Sequence, residues 1–166
     1  MAINNIVRKA RKSDLQAIVK IEQDCFPREE AATELQIKNR IESYGDHFLV
    51  MEQEGSIVGI INGIVSDYDT IRDDMYENTA FHKETGQWQM IFGLDVIEKY
   101  RKKGFATLLM QSMIHHAQME NRKGVILTCK ENLIPFYERF GFTNFGVSKS
   151  VHGGVVWYDM KLIFNN

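Results

Sequence analysis

The run from Gln87 to Met110 constrains most what this chain can fold into. Gln87-Trp88-Gln89-Met90-Ile91-Phe92-Gly93-Leu94-Asp95-Val96 is strongly β-like and reads as a central strand. From Gly104 to about Asn121 the period becomes helical, with Leu108, Leu109, Ser112, Met113 and Ala117 forming a mostly apolar face. Between them lies a basic turn, Arg101-Lys102-Lys103-Gly104. A strand, a glycine turn and a helix start aim backbone N–H groups and cations at one point, where a phosphate can sit. The alternative is an ordinary strand-to-helix loop with a solvated basic face. Gly93, inside the strand, implies a bulge or a close approach to the backbone.

The rest of the chain arranges itself around that run. A short first strand holds Ile6 to Ala10, and Ser13-Asp14-Leu15-Gln16 has capping-box spacing for a helix that stops near Cys25-Phe26-Pro27. Thr33 can cap a second helix ending before Gly45. His47–Gln53 and Ser56–Val65 read as a hairpin turning at Glu54-Gly55. Asp67 to Lys83 is acidic and aperiodic, with room for a short helix around Ile71 to Tyr76; such an excursion is more often functional or mobile than neutral. Gly124–Cys129 reads as a buried strand, Leu133 to Phe140 as a short helix closed by Gly141, and Phe142–Val147 and Val155–Ile163 as final strands. About seven strands and four helices in this order imply an α/β fold with a mixed sheet. The strands around Val96 and Val125 are joined through the long helix and are therefore expected to be parallel.

Composition removes several functions. With net charge -2 and pI near 6.2 over 166 residues, no general field attracts nucleic acid, so anion affinity has to be local. The length suits a single domain, residues 1–166. Met1-Ala2-Ile3-Asn4-Asn5 lacks a basic n-region followed by an apolar segment, and no apolar run approaches the ~18–20 residues of a membrane span. Cys25 and Cys129 have neither metal nor disulfide spacing, which reads as a cytoplasmic protein with reduced thiols and no metal site.

Arg101-Lys102-Lys103-Gly104-Phe105-Ala106 resembles the acetyl-CoA-binding signature of the GNAT N-acetyltransferases: a basic residue or glutamine, two variable residues, glycine, any residue, then glycine or alanine. Leu94-Asp95-Val96 resembles the strand leading into that signature. The stretch Thr128–Phe142, with Pro135-Phe136-Tyr137-Glu138-Arg139-Phe140-Gly141-Phe142 at its end, is similar to serotonin (arylalkylamine) N-acetyltransferases in particular. The resemblance implies a GNAT-like fold: a mixed, mostly antiparallel seven-stranded sheet, about four helices, and a central parallel pair that splays apart. It also implies acetyl-CoA as co-substrate, a small-molecule amine as acceptor, and a monomer or homodimer.

The chemistry the resemblance asks for can be matched to residues. The helix start offers N–H groups from about Lys103 to Thr107, including Phe105 and Ala106, and Gly104 lets the backbone approach phosphates without a Cβ. Arg101, Lys102 and Lys103 add charge. A pantetheine arm can pair like an extra strand, a role the family implies for the backbone of Leu94 and Val96, with Asp95 between them and Asn132 further on as cofactor contacts. Tyr137 is the expected catalytic acid, protonating the departing thiolate; a tyrosine with an ordinary pKa of ~10 is protonated near neutrality. The alternative is a tyrosine packed between Phe136 and Phe140.

Met90 and Phe92 stand where the serotonin enzymes place two histidines, and neither can take a proton. Either the free amine binds, or water carries the proton away, or another residue such as His152, His82 or Glu84 serves. With Phe26 and His152, Met90 and Phe92 make up the expected acceptor pocket. The reading is direct acetyl transfer to a primary amine, aryl-alkyl or polyamine, with a protein N-terminus or lysine as other acceptors. A non-catalytic coenzyme A sensor or subunit is the second hypothesis.

Overall fold

The structure is a computed structural model that describes residues 5–165; Met1 to Asn4, read above for a leader segment, lie outside the described residues. The chain divides into two compact units, Met1–Gly63 with Gly93–Met113, and Ile64–Phe92 with Ile114–Asn166.

The first unit carries an antiparallel sheet in the order β1-β2-β3-β6, formed by β1 (Asn5–Lys9), β2 (Phe48–Gln53), β3 (Ser56–Asn62) and β6 (Gly93–Val96). Helices α1 (Leu15–Cys25) and α2 (Glu34–Tyr44) pack onto it. Ile18, Val19, Ile37, Ile41, Phe48, Val50 and Ile60 form the common core. Thr33 caps α2 as its spacing predicts: its Oγ1 accepts from Gln36 N–H at 3.2 Å, and Gln36 Oε1 accepts from Thr33 N–H at 2.9 Å. The box expected at Ser13 does not form. Instead the Asp14 carboxylate accepts from Arg11 N–H at 2.7 Å and from Arg8 Nη1 and Nη2 at 2.8 and 3.1 Å. The hydrogen bonds from Arg8, then the one from Arg11 N–H, hold that carboxyl below the usual range.

The second unit carries a mixed sheet in the order β4-β5-β7-β9-β8, from β4 (Val65–Ser66), β5 (Trp88–Ile91), β7 (Gly124–Cys129), β8 (Thr143–Val147) and β9 (Tyr158–Ile163). Among the described residues its one parallel pairing is β5 with β7, in register from Trp88↔Gly124 to Ile91↔Leu127. The expected run of about seven strands becomes nine among the described residues. Two long strands are each broken where the chain changes sheet: Ser56–Val65 at Gly63-Ile64, and Gln87–Val96 at Phe92. The parallel pairing therefore belongs to the segment before Phe92, and Val96 pairs with Gly59 in the other sheet. Gly93, expected to mark a bulge or a close approach, is the first residue after this break and opens β6.

Helix α3 (Phe105–Met119) follows the basic turn. Its buried face is Phe105, Leu109, Met110, Met113 and Ala117, whereas Leu108, expected on that face, is 43% exposed. Helix α4 (Ile134–Glu138) is shorter than predicted. It closes through Gly141 N–H to Glu138 O at 2.9 Å, with Gly141 in left-handed backbone at φ +100°. None of the described helices is long and apolar enough to cross a membrane.

Candidate functional site

In the first unit the site is built from a strand edge and a turn. Ile97 N–H donates to Val58 O at 3.0 Å, and the ladder runs Gly59↔Val96, Ile60↔Asp95, Ile61↔Leu94. Inward-pointing residues alternate in an antiparallel ladder, so Gly93 and Asp95 turn their main chain to β3, while Leu94 and Val96 turn theirs to the open edge of that sheet. The Val96 carbonyl is already engaged: it accepts from Arg101 Nε at 2.9 Å and from the Cys25 thiol at 3.4 Å. The outward groups remaining are the Val96 N–H and both main-chain groups of Leu94.

The turn that follows is a concave set of amides. Lys102 (φ +61°) and Gly104 (φ +82°) are both left-handed and bracket Lys103, a geometry that gathers N–H groups on one side. Leu108 N–H to Gly104 O, 3.0 Å, is the first helical bond, so the N–H groups of Phe105, Ala106 and Thr107 precede any intrahelical partner. Lys99 and Lys103 place their ammonium groups 5.1 and 5.6 Å from the Tyr100 ring centroid, and Tyr100 in turn lies against Phe105. Arg101, expected to add charge for the ligand, spans Val96 O and Cys25 Sγ, the latter at 3.6 Å. Burial pushes the Cys25 thiol up despite the guanidinium beside it. An open cleft of about 670 Å³ beside the turn is lined by Asp24, Cys25, Ile97, Glu98, Lys99 and Arg101.

Asp95 is 1% exposed, and burial followed by the neighbouring Glu22 charge pushes its carboxyl well above the usual range. No pattern in the sequence marks this pair, because Glu22 is an unremarkable position on the α1 face.

In the second unit Tyr137 sits in α4, 8% exposed. Its ring meets Phe136 and Phe142 edge-on at 5.0 and 6.0 Å, and its carbonyl accepts from Phe140 N–H at 3.0 Å. The ring neighbours are thus Phe136 and Phe142, with Phe140 contacting Phe136 instead. Asn132 is exposed in the 3-10 turn Glu131–Leu133 that leads into α4.

The expected acceptor residues are partly brought together. Tyr76, which the sequence did not single out, stacks on His152 (centroids 4.8 Å, planes 26° apart) and tilts against Phe92 (4.8 Å). The Tyr76 hydroxyl pairs with Thr128 Oγ1 on β7 at 3.2 Å. Trp157 extends the cluster: its Nε1 donates to His152 O at 2.7 Å, and Lys130 Nζ lies 5.8 Å from its ring. Asp73 fastens the loop to this cluster by accepting from the Ser150 hydroxyl and from Val151 N–H. The acidic excursion is therefore structural at this point, and only tertiary contact could have revealed it. Met90, two residues before Phe92, is fully buried in β5 opposite Ile126. Phe26 is the C-cap of α1 in the first unit. His82 and Glu84 are committed elsewhere: His82 Nδ1 accepts from Val65 N–H at 3.0 Å, its Nε2 meets Glu84 at 2.8 Å, and Glu84 also pairs with Arg122.

Residues 11–164 match the family model described as the acetyltransferase (GNAT) domain. Serotonin N-acetyltransferase of Mesocricetus auratus is 27% identical over 111 residues, 66% of this chain and 52% of that protein, so the chain spans about half the length of that relative. Among solved structures, the loading GNATL domain of CurA from Lyngbya majuscula matches with a TM-score of 0.83 at 15% identity, over 96% of this chain and 97% of that one. The GphF GNAT-like decarboxylase in complex with isobutyryl-CoA matches with a TM-score of 0.79 at 18% identity, over 95% and 98%. At these identities the structural likeness is one of fold.

Proposed function

Because the chain belongs to the GNAT acetyltransferase family, we propose that residues 1–166 form one N-acetyltransferase domain that moves acetyl from acetyl-CoA directly to a small primary amine. The observation that carries this reading is the pairing of an outward-facing edge at Leu94 and Val96 with the left-handed turn at Gly104 that opens α3. A pantetheine arm is peptide-like and needs the first; a pyrophosphate needs the second. When bound, acetyl-CoA supplies a thioester whose carbonyl carbon accepts the amine. Leu94 and the Val96 N–H hold the arm, the amides of Lys103 to Thr107 hold the phosphates with Lys102 and Lys103, and Arg101 stiffens the turn through Val96 O. Asn132 joins the cofactor contacts on the strength of the family motif alone. Tyr137 donates its phenolic proton to the departing thiolate. Phe92, Tyr76, His152 and Trp157 supply an aromatic wall that favours an acceptor with an apolar or planar body over a bare polyamine.

The reading is tested by thiol release from acetyl-CoA over a panel of aryl-alkylamines, polyamines, and peptides with a free N-terminus or lysine. We expect a small aryl-alkylamine to accelerate release most. Tight acetyl-CoA binding with no acceptor-dependent release would instead support the coenzyme A sensor, which the apolar Met90 and Phe92 favour. Within the same assay, Asp73→Ala is expected to raise the acceptor KM about tenfold, ~1.4 kcal/mol, by freeing the loop at Ser150 and Val151. The acetyl-CoA KM should not move.

A further inference from the structure

Under β6, four polar side chains from four elements meet in the core of the first unit. Asp95 of β6, Asn62 of β3, Glu22 of α1 and Arg40 of α2 are 1, 1, 5 and 4% exposed. Arg40 Nη1 donates to Asn62 Oδ1 at 3.1 Å, which fixes the amide with its NH₂ toward the acids. A Cβ on Gly93 would lie 3.3 Å from Asp95 Oδ1, 3.4 Å from Asn62 Nδ2 and 3.7 Å from Glu22 Oε1, so the three converge over the one residue that has no side chain. Glu22 Oε2 accepts from Ala32 N–H at 2.7 Å, which ties down the end of the α1–α2 connector. Both Asp95 oxygens are buried without a donor. Two carboxylates that converge on one buried spot beside a single guanidinium disfavour carrying two negative charges there.

We propose that Glu22 and Asp95 share a single proton, and that this acid-to-acid hydrogen bond positions β6 and the α1–α2 connector together. Asp95 is thereby a positioning residue for the strand whose edge holds the co-substrate, a role that rests on the acetyl-CoA reading only for its kinetic arm. The other ionisable groups facing the pair are few. Cys25 comes from α1, Arg40 from α2 with Tyr44 behind it, and Arg101 reaches Cys25 from the turn.

The sign follows from linkage. The folded protein keeps the Asp95 proton above ~4, where an unfolded aspartate has lost it. The pair's contribution is full below that pH and is lost as pH rises through the folded value. Asp95→Asn replaces the acid O–H with an amide N–H that still donates to Glu22 and cannot titrate. Glu22→Gln keeps an oxygen for Ala32 N–H and offers its amide to an ionised Asp95.

Melting of the apo protein from pH 5 to 9 tests this without any turnover. Relative to wild type, Asp95→Asn and Glu22→Gln should each gain at least about 3 °C between the ends of the range, on the scale of a ~1 kcal/mol effect in a domain of this size. Asp95→Ala should melt lower throughout. Curves for both amide variants that run parallel to wild type at every pH would overturn the proposal; if one variant does not fold, the other decides. In the kinetic arm, Asp95→Asn should move the alkaline limb of kcat/KM for acetyl-CoA upward. If wild type shows no turnover, the acetyltransferase reading fails while the melting result stands by itself.

Discussion

Tyr137→Phe is expected to lower kcat by about 10²- to 10³-fold, the range a positioned general acid contributes, while the KM for acetyl-CoA stays within about twofold. The substitution removes one oxygen and leaves the ring between Phe136 and Phe142, so its packing survives. A lost hydrogen bond costs about 1 kcal/mol of stability, which does not unfold a domain. The variant should therefore be folded and able to bind acetyl-CoA, but slow to release thiol. A fall confined to kcat, measured at saturating acceptor, is the mark of an interaction made in the transition state. Undiminished kcat would assign Tyr137 to the core of the second unit, where its 8% exposure also suits it.

Gly104→Val is expected to raise the acetyl-CoA KM by more than tenfold with a smaller change in kcat. A Cβ at Gly104 meets nothing within 4 Å, so the cause is not a clash. It is the backbone: φ is +82°, and a β-branched residue held there costs about 1–3 kcal/mol. The turn relieves that cost by relaxing, and the amides ahead of Leu108 lose their common direction. Gly104→Ala should fall between, because it is strained without being branched. Because Gly104 is exposed, both variants should melt within a few degrees of wild type. A normal KM in the valine variant would separate the turn from the cofactor.

Much of the fold could be read from the chain because its signals are local. Thr33 with Gln36 caps α2, Gly141 closes α4, and a parallel partner for the Val125 strand follows from the helix before it, though that partner is Trp88–Ile91 and not the strand at Val96. The breaks at Gly63-Ile64 and Phe92 were not visible: an apolar run looks the same whether it stays in one sheet or passes to another. The turn that opens α3 was legible for the same local reason, since basic residues, glycine and helix start are neighbours in sequence. At Gly104 the chain alone pointed to clearance for a ligand; the structure adds that its backbone is left-handed, φ +82°. Arg101 looked like a free cation until its partner, a carbonyl five residues back, could be seen. Tyr76, Trp157 and Asp73 belong to the aromatic cluster only through long-range contact, and no spacing rule reaches from residue 76 to 152. Glu22 and Asp95, 73 positions apart, are hidden for the same reason.

The passage of the chain from one sheet to the other has a consequence for synthesis on the ribosome. Each unit is assembled from two separated segments, and translation supplies them at about 5–20 residues per second. The first sheet is complete once β6 has emerged, at Val96, with β4 and β5 already made. At that moment β5 has β4 along one edge, and its parallel neighbour β7 is still nearly thirty residues from being synthesised. For the seconds that this takes, a strand edge bearing Trp88, Met90 and Ile91 lacks its parallel partner in a half-made protein. The nascent chain is therefore most vulnerable to mispairing between Val96 and Cys129, a window set by its topology and not by its final stability.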